Sequence, residues 1–398
     1  MKKIKITFEH KQIEVEENTT YLEISKYSQK KDIALAVKKE NELFPLTTRA
    51  IKDETIEFID ASSIEGAKIY KAAIKFILEV ALKTVFPTSD IDYLHSVPGG
   101  MLGEIEYDRI LTKEDISKIK EEMAKIIDEN CEFKRYNILK KAAADFYEAT
   151  SYYEKAINVK TCDDIVTIYK LKDYLNYYYV PMPYSTGCIK QFELKYLDNN
   201  RLIILYPSNL TKGRLPEYVH HENIINAYYE GKSWLKRLNA PYVADLNNLV
   251  ANRGMKGFIE SCELHFTDEI KKACDKIIRN NDKKFVMIAG PSSSGKTTTT
   301  RILGAYLRSK GYDPICLSTD DYFVDREDTP KDEFGAYDFE CLNAIDTRQF
   351  NEDLMQLLKG KEVNIPTFNF VTGKREYHNH VIKLNENSII LIEGLHSL

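Results

Sequence analysis

Gly290-Pro291-Ser292-Ser293-Ser294-Gly295-Lys296-Thr297 fits the spacing G-x-x-x-x-G-K-[ST]. That spacing suits the cradling of a nucleotide's phosphates. Gly290 and Gly295 tolerate backbone angles that other residues resist. The N–H groups of the loop can then converge on phosphate oxygens at the start of a helix, where the helix dipole favours negative charge. Lys296 is long enough to reach β- and γ-phosphates, and the Thr297 hydroxyl can hold Mg²⁺. Gly290, Ser292, Ser293, Ser294, Gly295, Lys296, Thr297 and Thr298 are therefore the candidate ATP-binding residues. Phosphoryl transfer also needs one carboxylate for the metal and another to orient the accepting hydroxyl. Asp320 and Asp321 follow an apolar run at 314–318, and Glu393 follows SIILI at 388–392. A single carboxylate after a strand is commonly only a helix cap. Three beside such a loop point to a site.

The flanking elements have the period needed to position these groups. The run FVMIA at 285–289 reads as a buried strand leading into the glycine turn, and a helix follows through Leu307, stopped at Gly311. Strand–helix–strand alternation predicts a parallel sheet with helices on its faces. Ligands bind such sheets beyond the carboxyl ends of the strands, where all the candidate groups fall.

Upstream the pattern is different. Ile4, Ile6 and Phe8 alternate with polar residues, as do Ile13 and Val15, around Glu9-His10-Lys11. This predicts a β-hairpin, followed by a helix capped at Thr19 or Thr20 and by short strands near 33–37, 42–46 and 56–59. The whole reads as a β-grasp module over 1–60. Residues 61–240 read as an α+β domain. It begins with an amphipathic helix at 65–85, closed by Pro87, and has a capping-box start at Thr112. Strands are predicted at 177–180, 192–197 and 202–206. Tyr174, Tyr177, Tyr178, Tyr179 and Tyr184 are read as belonging to a half-buried strand rather than a base-stacking platform. Residues 241–283 read as a helical connector ending in the polar run 279–282, and 284–398 as the phosphate-binding domain. The fold class is multidomain α/β.

Composition narrows the function. Net charge is −5 over 398 residues, which argues against bulk electrostatic binding of nucleic acid. The seven cysteines include no CxxC pair and suit a reducing compartment. No apolar run approaches the roughly 18 residues of a membrane span, and the N-terminus lacks the apolar core of a signal peptide. The expected location is the cytoplasm, with no membrane partner. Adjacent His220 and His221 diverge. His378 and His380 would face one side of a polar hairpin, the preferred reading over a metal pair.

Residues 284–398 resemble the uridine kinase and phosphoribulokinase group. The resemblance rests on AGPSSSGKTT at 289–298, LSTDDYF at 317–323, YDFE at 337–340, IPTFNFVTGKR at 365–375 and LIEG at 391–394. It implies that Asp320 accepts the proton of a nucleoside 5′-hydroxyl, that Asp338 binds ribose hydroxyls, and that Glu393 helps hold Mg²⁺. Phe368 and Gly373 stand where the family has a tyrosine and a histidine around the base, so Phe368 is a candidate substrate-stacking residue. The group continues past its glutamate strand with an arginine-bearing lid and two more strands. By this comparison the chain is expected to be the front half of a longer kinase, with the loop strand unpaired on one side and the activity of the fragment itself left open.

Residues 1–60 resemble the TGS domain of threonyl-tRNA synthetases. Residues 61–240 resemble their second domain, most clearly in ILTKEDISKIKEEM at 110–123. Ala72, Phe76, Pro183 and Gly187 align with the editing residues, which implies neither editing nor zinc. The arrangement resembles bacterial TGS-containing nucleoside kinases. The expected reaction is Mg²⁺-dependent transfer from ATP to a small nucleoside-like alcohol, with Lys296 and Asp320 catalytic. Alternatives are another sugar-like alcohol as acceptor, or a nucleotide-dependent switch that senses RNA or a ligand through residues 1–240.

Overall fold

A computed structural model describes residues 2–280, 284–332 and 335–397. The chain divides into two compact units, Met1–Asn252 and Arg253–Leu398.

In the first unit, Lys3–Phe8 and Lys11–Glu16 pair antiparallel, with Ile6 opposite Ile13. Glu9 and His10 make the two-residue turn with φ of 47° and 59°, the conformation whose twist matches a hairpin. Thr20 caps the helix Tyr21–Ser25 in a capping box with Glu23. Ala36–Lys39 pairs with both Glu42–Pro45 and Glu57–Ile59. These pieces enclose their own core of Ile4, Ile6, Phe8, Tyr21, Ile24, Val37 and Phe58.

A larger core gathers around the helix Ile64–Val85, capped by Ser63 and apolar over most of its circumference. The second long helix, Lys113–Asp128, starts in the Thr112–Asp115 capping box. Arg109 and the N-terminal N–H groups beside Asp115 hold its carboxyl well below the usual carboxylate range. A four-stranded sheet runs in the order Glu193–Tyr196, Arg201–Leu205, Gly100–Glu106, Asp90–Val97.

The tyrosine strand is shifted from its expected place. It spans Tyr174–Tyr177 rather than 177–180. Lys172, with φ of 52°, starts a tight turn after Ile165–Leu171, and this fixes the pairing of Leu171 with Tyr174.

The second unit is built on three parallel strands. The glutamate strand Ser388–Gly394 lies at the centre, between the loop strand Phe285–Ala289 and the aspartate strand Asp313–Ser318. A central parallel strand is covered on both faces, and Ile389–Ile392 is buried throughout. One face packs against the helices Met255–Arg279 and Lys296–Ser309 through Ile270, Cys274, Leu303 and Leu307. The other packs on Tyr322, Phe323, Ile345 and Leu357. The loop strand departs from the fully buried run read from FVMIA. It has one neighbouring strand among the described residues, and Met287 is 48% exposed. Asn280 caps the preceding helix; the rest of the expected polar stop, at Asn281 and Asp282, lies outside the described residues.

Candidate functional site

The parallel register gathers the chemistry at one end of the sheet. Glu393 lies opposite Ile288 on one side and Ser318 on the other. The glycine loop leaves its strand one residue beyond Ala289, and the aspartate turn Thr319–Tyr322 begins immediately after Ser318.

The loop's form follows from its residues. Gly295 has φ of +87° and stands at the N-cap of Lys296–Ser309, so the first N–H groups of that helix open onto the loop. A Cβ at Gly290 would come within 2.8 Å of Ser294 Oγ, which would have to turn away. Ser293 also has positive φ, 61°. Pro291 O accepts from Ser294 N–H at 3.3 Å and from Lys296 Nζ at 2.9 Å. The lysine ammonium thus lies across the inside of the loop. Ser292, Ser293, Ser294 and Thr298 are exposed on it.

Thr297 Oγ1 donates to Glu393, 2.9 Å from Oε1 and 3.1 Å from Oε2. Hydroxyl and carboxylate oxygens are the donor set a hard divalent cation takes. The two residues expected to hold Mg²⁺ therefore meet, and they fit it.

Asp320 is half-buried, and burial pushes its carboxyl above the usual range, opposed by the charges of Lys296 and His396. Its backbone N–H donates to Ser318 Oγ at 3.2 Å, which fixes the turn. Asp321 is likewise raised by burial, and it accepts from Phe368 N–H at 3.3 Å. Gly394 lets this turn press against the strand end: a Cβ there would stand 1.6 Å from Thr319 Oγ1.

The acceptor side is looser. Asp338 is half-buried and accepts from Glu340 N–H at 3.0 Å. Its neighbour Phe339 touches Phe323 edge-on, which links it to the Asp320 turn. Phe368 differs from an open stacking ring. It is 4% exposed, packed between Phe323 and Phe370, whereas Phe370 is 62% exposed. Sequence reading passed over Phe370, His396 and Arg326. The first two lie within three residues of assigned positions, and Arg326 lies three beyond the LSTDDYF match. Proximity to those motifs was the one available signal.

A cavity of about 390 Å³ lined by Ile277, Lys284, Tyr312 and Asn387 lies at the opposite, amino-terminal ends of the strands, away from this chemistry. No group of three or more metal-ligating side chains occurs among the described residues, and His378 pairs with Glu376 at 3.1 Å. Among the described residues no helix is long and apolar enough to cross a membrane.

Fold and site together describe a nucleotide-binding P-loop domain with carboxylates at the carboxyl ends of its strands. Residues 285–398 match the model of the Phosphoribulokinase / Uridine kinase family, so the second unit carries a domain of that family. The N-terminal part is homologous to threonine–tRNA ligases. That of Symbiobacterium thermophilum is 28% identical over 163 residues, covering 40% of this chain and 25% of the ligase. That of Halalkalibacterium halodurans is 30% identical over 168 residues, covering 40% and 26%. The chain thus spans about a quarter of the length of the curated relatives it matches. A solved structure from Bacillus stearothermophilus, described as "a Possible Uridine Kinase", is similar at 25% identity (TM-score 0.27), covering 32% of this chain and 70% of that one.

Proposed function

We propose that the protein transfers the γ-phosphoryl group of ATP to the 5′-hydroxyl of a nucleoside. The observation that carries this reading is the meeting of Thr297 with Glu393 one strand away from the Asp320 turn. A protein that only bound nucleotide would need the loop but not a half-buried carboxylate beside it.

In this reading the loop N–H groups and Lys296 hold the phosphates and meet the charge that spreads over the transferring group. Mg²⁺, held by Thr297 and Glu393, would supply further neutralisation of the β- and γ-oxygens. Asp320 accepts a hydrogen bond from the acceptor hydroxyl and takes its proton as the oxygen attacks. Asp338 orients the sugar. Little covalent work falls to the protein, and catalysis is positioning plus charge stabilisation.

The same reading makes residues 1–60 a TGS-like module, 61–240 a synthetase-like domain and 241–283 a connector, in a cytoplasmic enzyme. RNA is a candidate partner of residues 1–240, on the strength of the ligase homology. The test is transfer from γ-labelled ATP to a panel of nucleosides, sugars and sugar phosphates with Mg²⁺. Label on a nucleoside 5′-oxygen supports the proposal. Label on a sugar phosphate alone moves the acceptor to the phosphoribulokinase type. ATP binding with no alcohol labelled favours a nucleotide-dependent switch.

A further inference from the structure

The first unit holds a second gathering of polar groups, which phosphoryl transfer does not use. Lys71, Lys75 and Glu79 follow at four-residue spacing along the helix Ile64–Val85, so they share one face. That face lies about 100° around the helix from the one carrying Ala72 and Phe76, which are packed into the core. The strand Asp90–Val97 brings Tyr93 under the Lys75 ammonium, 4.1 Å from the ring centroid. The helix Tyr153–Lys160 brings Lys155, whose ammonium stands 4.6 Å from the Tyr152 ring centroid. Glu79 accepts from Asn176 Nδ2 at 2.7 Å and from the Tyr178 hydroxyl at 3.4 Å. The three lysines and Glu79 are each half-buried.

Charge in this cleft is unbalanced. Among the described residues, Lys71, Lys75 and Lys155 have no carboxylate at ion-pairing distance, whereas nearby Lys83 is answered by Asp90 at 3.6 Å. Burial holds the ammonium groups of Lys71 and Lys75 below the usual lysine range. At Lys75 the attraction of Glu79 is opposed by repulsion from Lys71 and Lys155. Three ammonium groups against one carboxylate leave about two positive charges unanswered. A half-buried charge without a partner is costly, and an anion in the cleft would recover that cost. A second observation is independent of charge. Tyr147, on the helix Lys140–Ala149, is 1% exposed, and its hydroxyl makes no hydrogen bond of ordinary geometry. It belongs to the same cleft: Lys155 stands 6.0 Å from its ring centroid, and the charge of Glu79 reaches its hydroxyl. A buried hydroxyl left unpaired marks the place of a further polar atom.

We propose that this cleft binds a phosphate monoester bearing hydroxyl groups, with the phosphate at Lys75 and Lys155 and a hydroxyl at Glu79 and Tyr147. A phosphate monoester carries close to two negative charges at neutral pH, which matches the excess. A zwitterion of no net charge would leave the excess standing. The ligand's hydroxyl supplies a donor that the Glu79 carboxylate and the Tyr147 oxygen can each accept. Tyr93 and Tyr152 already carry an amine over one face, so their part is to hold the cations in place. The site does not depend on the nucleoside kinase reading.

The test is acetylation footprinting of the full chain, read by mass spectrometry at each lysine. The probe is uridine 5′-monophosphate, uridine is its phosphate-free counterpart, and exposed Lys256 is the internal control. Labelling of Lys75 and Lys155 should fall severalfold with the monophosphate and stay unchanged with uridine. In Lys75→Met, which keeps a similar side-chain length without the charge, the monophosphate concentration that protects Lys155 should rise about tenfold or more, the scale of losing a hydrogen bond to a charged group. Without ligand this variant should melt no lower than the unmodified chain, because it buries no unanswered charge. Lys155→Met repeats the measurement through the protection of Lys75. No protection of Lys75 and Lys155 by the monophosphate overturns the proposal. Equal protection by uridine or by glycine, protection by an RNA oligonucleotide alone, or undiminished protection in both variants overturns it as well. Lys296 reports the P-loop in the same spectra, so failure at the cleft is read separately from failure of the kinase reading.

Discussion

The two units put comparable positions to opposite uses. In the second, the motif residues are polar, stand at strand ends and meet one another, as Thr297 does Glu393. In the first, Ala72, Phe76 and Gly187, expected from the resemblance to replace editing residues, are apolar or small and belong to the packing. Ala72 is 7% exposed and Phe76 1%, and the Phe76 ring stacks on Phe133 at 6.1 Å. Gly187 abuts Asn130, whose Oδ1 would lie 2.2 Å from a Cβ there. A fold is held by its distributed core, whereas a function resides in a few side chains, so one can persist where the other is rebuilt.

The contrast can be broken by mutations that should act on one property only. Phe76→Ala should cost about 3–5 kcal/mol of stability, as removal of a buried aromatic does, measured by denaturant unfolding. Phosphate transfer per folded molecule should stay unchanged. Lys296→Ala should do the reverse, lowering kcat by about 10²- to 10³-fold at unaltered stability, the scale for losing a charge-stabilising group. Thr112→Ala removes a helix cap in the first unit and should cost about 1 kcal/mol, again without effect on transfer. A stability loss from Lys296→Ala equal to that from Phe76→Ala would erase the distinction between the units.

The smallest effect sharpens the contrast through pH. Burial raises Asp320 above its ordinary 3.8. The fold therefore binds this proton more tightly than the unfolded chain does. The group's contribution to stability is full below the unfolded pKa and is lost as pH rises through the folded pKa. Near pH 7, then, Asp320→Asn should raise Tm slightly. Transfer, which needs the ionised carboxylate, should fall away on acidification at a pH above the usual carboxylate range.

Much of the architecture was legible in the residues. The alternation of Ile4, Ile6 and Phe8, the caps at Thr20 and Thr112, and the glycine loop before its helix each follow from local rules. The tyrosine strand was misplaced because its start is set by the turn at Lys172, not by the tyrosines. The openness of Met287 depends on how many strands flank its own, which no local pattern records. Within the site, the loop and both acidic strand ends could be read from spacing. Phe368 could not be told from Phe370 by residue type, because only packing decides which ring is buried.

The central claim is that Asp320 serves an acceptor hydroxyl beside a nucleotide held by the loop. Single-turnover transfer by Asp320→Asn, with ATP affinity measured on the same sample, tests it most directly. The expected result is transfer to nucleoside slowed by about 10²- to 10⁴-fold, the range for a general base, with ATP binding retained. Transfer at the unmodified rate would contradict the claim and remove Asp320 from the reaction.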